Sequence, residues 1–332
     1  MYSYKLPEFK FPVFNVSFDP ISKRLYDQAN KIEIDQIEKI LKKQEHIILD
    51  FNRDHSNFIF GPTSVLDAYN YFTSLGFSNI FYLTSENVQN NPFVKFFPTW
   101  LYSKHHTYQD VNFKLQQKRK YPVSCLNRFP SPHRVYFFYH LLNKPYFEQC
   151  LTSFIGLSNP YNNFLDVGAY NEIYRDIPDN IKQFYETTKY VKKTDSDINN
   201  WNELHDPTYK AFADTYLNII TESTYYHSFF TEKTAKPLVT EQLFIMLGGQ
   251  NSITNLKQLG FEVFDDLLNS DYDSQVDWKI RADMVLKLLD NVFYNIEDIF
   301  NHYTKQRQHN KKYFLSDSFK HKCLQQVEDL LK

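Results

Sequence analysis

The chain has 332 residues and is poor in those that build covalent or metal-linked frameworks. It holds only 3 cysteines, Cys125, Cys150 and Cys323, and their wide spacing gives neither a disulfide framework nor a metal-ligand pair. Glycine occurs only 7 times, and the chain has no GxGxxG, Walker A, GxSxG or HExxH motif. The sequence therefore argues against the nucleotide, hydrolase and zinc-protease sites that those motifs define.

Long apolar runs and a strong charge of one sign are also missing. No run approaches 18 apolar residues, and the start MYSYKLPEFKF lacks the pattern of a signal peptide. The formal net charge is −2, so the overall charge does not favour nucleic acid or an anionic membrane as a partner. A local basic groove is left as an alternative. These absences, with the cysteine usage, predict a soluble protein of the cytoplasm without a membrane span.

The length allows two domains of ordinary size. Residues 1–117 alternate helix-like and strand-like segments, including a helix at about 63–75 stopped by Gly76 and a strand that begins at Asn79. This alternation predicts a small parallel sheet covered by helices. A domain junction is predicted at about residues 115–120, where the basic run 118–120 is interpreted as solvated surface.

The second predicted domain, 118–305, opens with the strand-like PVSCL and a turn at Asn127 and Arg128. Ser131 supplies a cap residue and Pro132 a first helical position, so Arg134 falls in the first turn of a helix. A helix N-terminus with an arginine suits a phosphate group. The alternative is an arginine paired with a surface carboxylate.

Residues 218–260 combine apolar strands with charges at strand ends. The strand NIIT leads into Glu222, and Thr231, Glu232, Lys233 and Lys236 follow around a helix start. Ligands of open α/β sheets bind beyond the carboxyl ends of the strands, so we expect a site there. The alternative for Glu232 and Lys236, spaced i, i+4, is a surface ion pair. Pro237 either kinks this helix or begins it.

The remaining segments predict helices and no metal site. A stripe from Ile280 to Phe293 predicts a core-packed helix over about 278–300, and a last helix is expected at about 315–331. The aspartates at 271–277 lack the glycine and glutamate of an EF-hand and are interpreted as a solvated loop. His105, His106 and His133 have no partners at metal-ligand spacing.

Two blocks of sequence carry a resemblance to a known family. The pattern NIITES, FFTEKTAKPL, FIMLGG and LGF resembles the donor-binding block of the α1,3-fucosyltransferases, and CLNRFPSPHRVYFFYHLL is similar to that family's first donor motif. The same blocks also resemble sequences of glycosyltransferase-like proteins of large DNA viruses and phages. The resemblance covers roughly residues 121–265. Pro237, and the lack of a glycine before LFIML, depart from the family pattern.

The resemblance implies a fold of the GT-B type. Such a fold has two Rossmann-like α/β domains that face a cleft, with C-terminal helices, here 306–332, that cross back. It also implies an enzyme that transfers a sugar from a GDP- or UDP-sugar without an obligatory metal or other cofactor. In that site Arg134 and Lys233 would hold the diphosphate, and Glu222 and Glu232 the ribose or sugar hydroxyls, with Asn127 and Thr231 also in the donor site. Arg128 and Lys236 would be auxiliary.

The mechanism that follows is an inverting transfer, in which a base deprotonates the acceptor hydroxyl. Asp54 and His55 are the candidates for that base because they follow the predicted strand HIILDFN. The sequence does not specify the acceptor, and a glycan, a protein and a modified base of phage DNA are all left as alternatives. The protein is expected to be a monomer or homodimer, in the host cytoplasm if it is viral. The alternatives are a non-catalytic nucleotide-binding module and another sugar-phosphate enzyme on the same fold.

Overall fold

The computed structural model describes residues 7–19, 24–27, 39, 46–51, 65–84, 91–112, 115, 118–127, 130–155, 175–188, 190–192, 210–226 and 228–331. The chain divides into two compact units. Unit 1 comprises residues 1–103 and 320–332, and unit 2 comprises residues 104–319. The domain boundaries expected from the sequence, at 117/118 and 305/306, stay a prediction.

Unit 1 contains a five-stranded sheet in the order β2-β1-β3-β4-β5. Strands β1 and β2 are antiparallel, and the other neighbouring pairs are parallel. The strands are β1 (Val13–Asp19), β2 (Arg24–Asp27), β3 (Ile47–Asp50), β4 (Ile80–Thr84) and β5 (Val94–Phe96).

A helix covers the sheet of unit 1, as the sequence predicts. Helix α1 (Val65–Ser74) buries Ala68 and Phe72 in a cluster with residues of β3 and β4. The helix ends before Gly76, whose φ of 86° is a conformation that glycine adopts without strain. Helix α2 (Thr99–Tyr108) follows β5, and the division between the two units falls within it.

The C-terminal residues complete unit 1. After helix α11 (Asp317–Leu324), a 3-10 segment (Gln325–Leu330) packs against β5. Leu331 forms a β-bridge with Phe9, and Asp329 pairs with Lys95 at 3.0 Å. The expectation that the C-terminal helices cross back to the first domain is confirmed for residues 320–331.

Unit 2 contains the second five-stranded sheet, in the order β10-β9-β6-β7-β8. Only the β7–β8 pair is antiparallel. The strands are β6 (Tyr121–Leu126), β7 (Leu151–Ile155), β8 (Tyr190–Lys192), β9 (Thr215–Thr221) and β10 (Leu243–Leu247). The predicted α/β class, with two Rossmann-like sheets, is confirmed.

The described helices of unit 2 connect and cover these strands. Every residue of β9 and of β10 is buried, because a parallel strand inside such a fold is covered on both faces. The helices are α3 (Pro132–Leu142), α4 (Asp179–Thr187), α5 (Lys210–Ala213), α6 (Glu232–Val239), α7 (Ser252–Gln258), α8 (Trp278–Val292), α9 (Ile296–His302) and α10 (Thr304–Phe314). Shorter 3-10 segments are Phe147–Gln149, Asp271–Ser274 and Phe293–Asn295.

The interpretation of the basic run 118–120 as solvated surface is wrong for its central residue. Arg119 is buried, whereas Lys118 and Lys120 are exposed. The Arg119 guanidinium donates four hydrogen bonds to main-chain carbonyls and lies 4.6 Å from the ring centroid of Phe300. Burial, with Arg307 nearby, lowers the pKa of Arg119 to about 10, so the side chain stays charged near neutral pH.

Two further expectations in unit 2 need correction. The predicted helix 278–300 is interrupted by the 3-10 segment Phe293–Asn295, and Ile280, placed in its core stripe, is 50% exposed. Arg281 is buried instead and donates to main-chain carbonyls, including that of Gln275. The loop expected to be solvated contains the buried Asp273, whose carboxylate accepts the main-chain N–H groups of the first turn of α7.

Candidate functional site

The order of the strands in unit 2 defines where a ligand site is expected. The chain leaves β6 towards β7 on one side and leaves β9 towards β10 on the other, while β6 and β9 are parallel neighbours. The topological switch point therefore lies between β6 and β9. Right-handed crossovers in opposite directions place α3 and α6 on opposite faces of the sheet, which leaves a crevice at the carboxyl ends of these two strands.

Asn127, the first residue after β6, joins the two sides of this switch point. Its side-chain oxygen accepts a hydrogen bond from the hydroxyl of Thr221, the last residue of β9. Its amide nitrogen donates to Sγ of Cys125 at 3.2 Å, and its main-chain N–H donates to Ser153 at 2.9 Å. Asn127 is buried. Its described contacts are structural, and its predicted place in a donor site stays a prediction.

Helix α3 begins as the sequence predicts, with Ser131 at the cap position and Pro132 at the first helical position. The Ser131 hydroxyl makes no capping bond to the main chain of the helix. It lies 3.1 Å from Nδ1 of His133, and the other ring nitrogen of His133 lies 3.0 Å from the carbonyl oxygen of Glu222. The side chain of His133, in the first turn of α3, thus reaches the residue that follows β9.

The protonation of His133 follows from these two contacts. A carbonyl oxygen can only accept, so Nε2 carries the hydrogen, and Nδ1 accepts from the hydroxyl of Ser131. Burial and the neighbouring Arg134, then Arg281, hold the pKa of His133 well below its ordinary value, against the opposing effect of the bond to Glu222. His133 is a neutral, buried imidazole in the folded protein.

This state of His133 predicts a loss of stability in mild acid. The unfolded chain protonates the imidazole below its ordinary pKa of about 6.5, and the folded chain does not. The neutral His133 ring therefore makes its full contribution to the free energy of unfolding above that pH, and this contribution is lost as the pH falls below it. Relative to His133→Gln, which does not titrate, the wild type is expected to lose about 1.4 kcal/mol of unfolding free energy between pH 7.5 and 5.5. Urea denaturation at both values measures this, and equal losses in both proteins would contradict it.

Arg134 lies inside unit 2, against the end of β9. Its Nε and Nη2 atoms donate to the carbonyl oxygen of Thr221, at 3.2 and 2.8 Å, and the residue is 2% exposed. This contact fixes the first turn of α3 to β9. The structure thus places Arg134 at the predicted site, and its contact with a diphosphate stays a prediction.

Glu222 is the first residue after β9, and its buried carboxylate faces the N-terminus of α6. One carboxylate oxygen accepts from the main-chain N–H of Thr231 at 3.0 Å and from the hydroxyl of Thr234. The other accepts from the hydroxyl of Thr231 at 2.7 Å. Burial raises the pKa of Glu222, while Lys233 and these hydrogen bonds act against the rise. The carboxyl group is thus buried at a helix N-terminus, where the helix dipole favours its charged form.

Lys233 and Glu232, in the first turn of α6, are the charged pair beside this buried network. The Lys233 Nζ atom lies 3.0 Å from Glu232 and 3.4 Å from the hydroxyls of Ser223 and Thr231. The Thr231 side chain caps the helix by accepting from the main-chain N–H of Lys233. The side chain of Lys233 is 26% exposed and that of Glu232 is 11% exposed. Glu232 as a whole residue is buried, so Lys233 is the more accessible of the two.

Lys236 completes the predicted group on α6, one turn further on. Its ammonium lies 5.0 Å from the ring centroid of Phe212. Burial lowers its pKa to about 8, against the opposing charge of Glu232, and the neighbouring Lys233 and Lys104 lower it further. Pro237 lies inside the helix, which begins at Glu232, so the alternative in which Pro237 begins the helix is wrong.

Three predicted site residues, Asp54, His55 and Arg128, lie outside the described residues. From the sequence, His133 is weighed only as a metal ligand, and its contact with Glu222 is not predicted. The part that Thr234 plays is not predicted either. The spacing of Thr231 and Thr234, three residues apart at a helix start, was a usable signal because it places both hydroxyls on one face.

Neither a metal cluster nor a spanning helix occurs in the described part of the chain. No group of three or more His, Cys, Asp or Glu residues there could hold a metal ion. No helix there is long and apolar enough to cross a membrane.

The described residues thus define an α/β protein with a charged site at a switch point. No family model matches the chain, and no curated protein matches it. Among solved structures it is similar to an α1,3-fucosyltransferase, with 14% identity, a TM-score of 0.39 and coverage of 85% of this chain and 76% of the other. It is also similar to an α1,3-fucosyltransferase with GDP, with 10% identity, a TM-score of 0.36 and coverage of 95% and 93%.

Proposed function

We propose that this protein is a glycosyltransferase of the GT-B type that takes its sugar from a nucleoside-diphosphate sugar. The observation that carries the proposal is the position of the charged pair Glu232 and Lys233 at the switch point between β6 and β9. Nucleotides bind at such points in open α/β sheets because helix N-termini converge there. The GDP named for one similar structure is a reason to include guanine nucleotides in a test.

The exposure of the site residues separates two roles. The Lys233 side chain is 26% exposed and that of Glu232, a buried residue, keeps 11%. Glu222 and Arg134 are 0% and 2% exposed and are bonded to the protein. We therefore assign the first pair to the ligand, with Lys233 on the diphosphate and Glu232 on a ribose or sugar hydroxyl. Glu222 and Arg134 hold the ends of β9, α3 and α6 in place.

The chemistry asked of this site is the stabilisation of a leaving group. When the bond to the anomeric carbon breaks, negative charge develops on the diphosphate, and a fixed cation lowers the energy of that state. Lys233 is suited to this because its ammonium lies at the start of α6, beside the hydroxyl of Thr231. The hypothesis also includes Asp54 or His55 as the base that deprotonates the acceptor hydroxyl. The transfer is proposed to invert the anomeric carbon and to need no metal.

The proposal is tested by thermal shift with UDP-, GDP- and CMP-sugars. One class is expected to raise the melting temperature, since a ligand at about 100 times its Kd stabilises the folded state by about 2.7 kcal/mol. The matching nucleoside without phosphate serves as the control and is expected to give no shift. Binding of a nucleotide sugar followed by its slow hydrolysis, in which water takes the sugar and the nucleoside diphosphate is released, would support a transferase. Absence of a shift with every nucleotide sugar would contradict the proposal, and binding without turnover with any acceptor would favour a non-catalytic module.

A further inference from the structure

One histidine connects the two helices that flank the candidate site. His133 lies in the first turn of α3, and its Nε2 atom is 3.0 Å from the carbonyl oxygen of Glu222, which follows β9. The two residues are 89 positions apart in the sequence. This bond therefore ties Glu222, which precedes α6 in the chain, to the other helix, α3.

The connection continues through hydrogen bonds to the proposed ligand-binding lysine. The carboxylate of Glu222 accepts from the main-chain N–H and the hydroxyl of Thr231. The Thr231 oxygen accepts from the main-chain N–H of Lys233 at 3.2 Å and lies 3.4 Å from its Nζ atom. A displacement of Glu222 would thus be transmitted to the ammonium of Lys233 through Thr231.

We infer that His133 is the positioning residue that sets the place of Glu222, and through it of Thr231 and Lys233. The inference rests on the proposed function only for its effect on ligand affinity. His133 has no exposed surface, so it touches no substrate and acts through the protein.

The surroundings of His133 hold its ring in one orientation. The Ser131 hydroxyl occupies Nδ1, and the ring of Tyr225 lies 5.1 Å away, centroid to centroid. Arg134 and Arg281 disfavour a positive charge on the ring. One tautomer is thus selected, and it is the tautomer that donates to Glu222.

Two variants distinguish the effect of losing the N–H donor of His133 from the effect of losing its ring. His133→Gln supplies an amide N–H in place of Nε2–H, whereas His133→Phe fills the space without a donor. His140→Phe is the matched control, because His140 lies on the same helix outside this network.

Hydrogen exchange of the ligand-free proteins is the first measurement. In His133→Phe, exchange at Thr231 and Lys233 is expected to be about tenfold faster, the effect of one lost hydrogen bond, with no equal change in peptides from α8. His133→Gln and His140→Phe are expected to match the wild type.

The second measurement is the affinity for the nucleotide sugar found in the thermal-shift screen. His133→Phe is expected to raise Kd about tenfold, and His133→Gln to restore it to within about threefold of the wild type. If no nucleotide sugar binds but the exchange pattern is as expected, the proposed function fails and the positioning of the loop by His133 stands. If binding is normal in His133→Phe and exchange at residues 222–234 is unchanged, the inference is overturned.

A measurement on the wild type keeps the inference testable if His133→Phe does not fold. The nitrogen chemical shifts of the imidazole report its tautomer and its charge. A neutral ring with hydrogen on Nε2 at pH 7 supports the inference. A ring with hydrogen on Nδ1, or a protonated ring, overturns it, because neither has the donor and acceptor pattern that Glu222 and Ser131 require.

Discussion

Replacing Lys233 by alanine is expected to weaken the binding of a nucleotide sugar about 10- to 100-fold. A hydrogen bond to a charged group contributes about 1.5–3 kcal/mol, and each 1.4 kcal/mol is tenfold in Kd. The side chain is held at the N-terminus of α6 by Thr231 and Glu232, so little ordering is required when a diphosphate binds. Isothermal titration calorimetry measures the change.

The control for this variant is Lys257→Ala. Lys257 is also a helical lysine paired with a carboxylate, Asp265, but it lies on α7 at the surface. It is expected to bind the ligand as the wild type does. Urea denaturation of both variants separates lost binding from lost stability, since Lys233→Ala also leaves Glu232 without this partner. Equal affinity in Lys233→Ala and Lys257→Ala would remove Lys233 from the ligand site.

Replacing Arg119 by alanine is expected to lower the free energy of unfolding of unit 2 by at least about 2 kcal/mol, because each buried polar group left without a partner costs about 1–3 kcal/mol. This guanidinium serves four carbonyl oxygens, of which Thr215 keeps a second donor in Gln242. The oxygen of Glu241 keeps a second donor in Arg307, so two oxygens lose their donor. The distances are 2.8–3.3 Å, and the oxygens belong to Phe212, Thr215, Thr240 and Glu241. Urea denaturation is the measurement.

The neighbouring Lys118→Ala is the matched control for Arg119→Ala. Lys118 belongs to the same basic run but is exposed, so its loss is expected to change stability by less than about 0.5 kcal/mol. Arg119→Lys is expected to recover less than half of the lost stability, because an ammonium lacks the planar fork that reaches several carbonyls. Similar effects of Arg119→Ala and Lys118→Ala would contradict the buried position of Arg119.

Much of the fold could be predicted because apolar periodicity records burial directly. Helix α1 and strand β4 lie where the sequence places them, and β10 coincides with the apolar run LFIML. Arg119 shows the limit of this approach. Charge alone indicates solvent, and the burial of Arg119 depends on hydrogen bonds to carbonyl groups 93 to 122 positions away in the sequence.

The candidate site could be predicted in part for a similar reason. Residues that follow strands, such as Asn127 and Glu222, are brought to one edge of a parallel sheet, and the structure places both there. Their partners depend on contacts between distant segments. The bond between His133 and Glu222 spans 89 positions, and nothing in the local sequence of either residue specifies it.

The composition of unit 1 from residues 1–103 and 320–332 has a consequence for the order in which the two units fold. Unit 2 is one continuous stretch, 104–319, so its sheet can form from contacts made within that stretch. Unit 1 needs two segments that are separated in the chain by the whole of unit 2, as in the bridge between Phe9 and Leu331. Closing so long a loop costs entropy before its contacts form, so unit 1 is expected to be completed after unit 2.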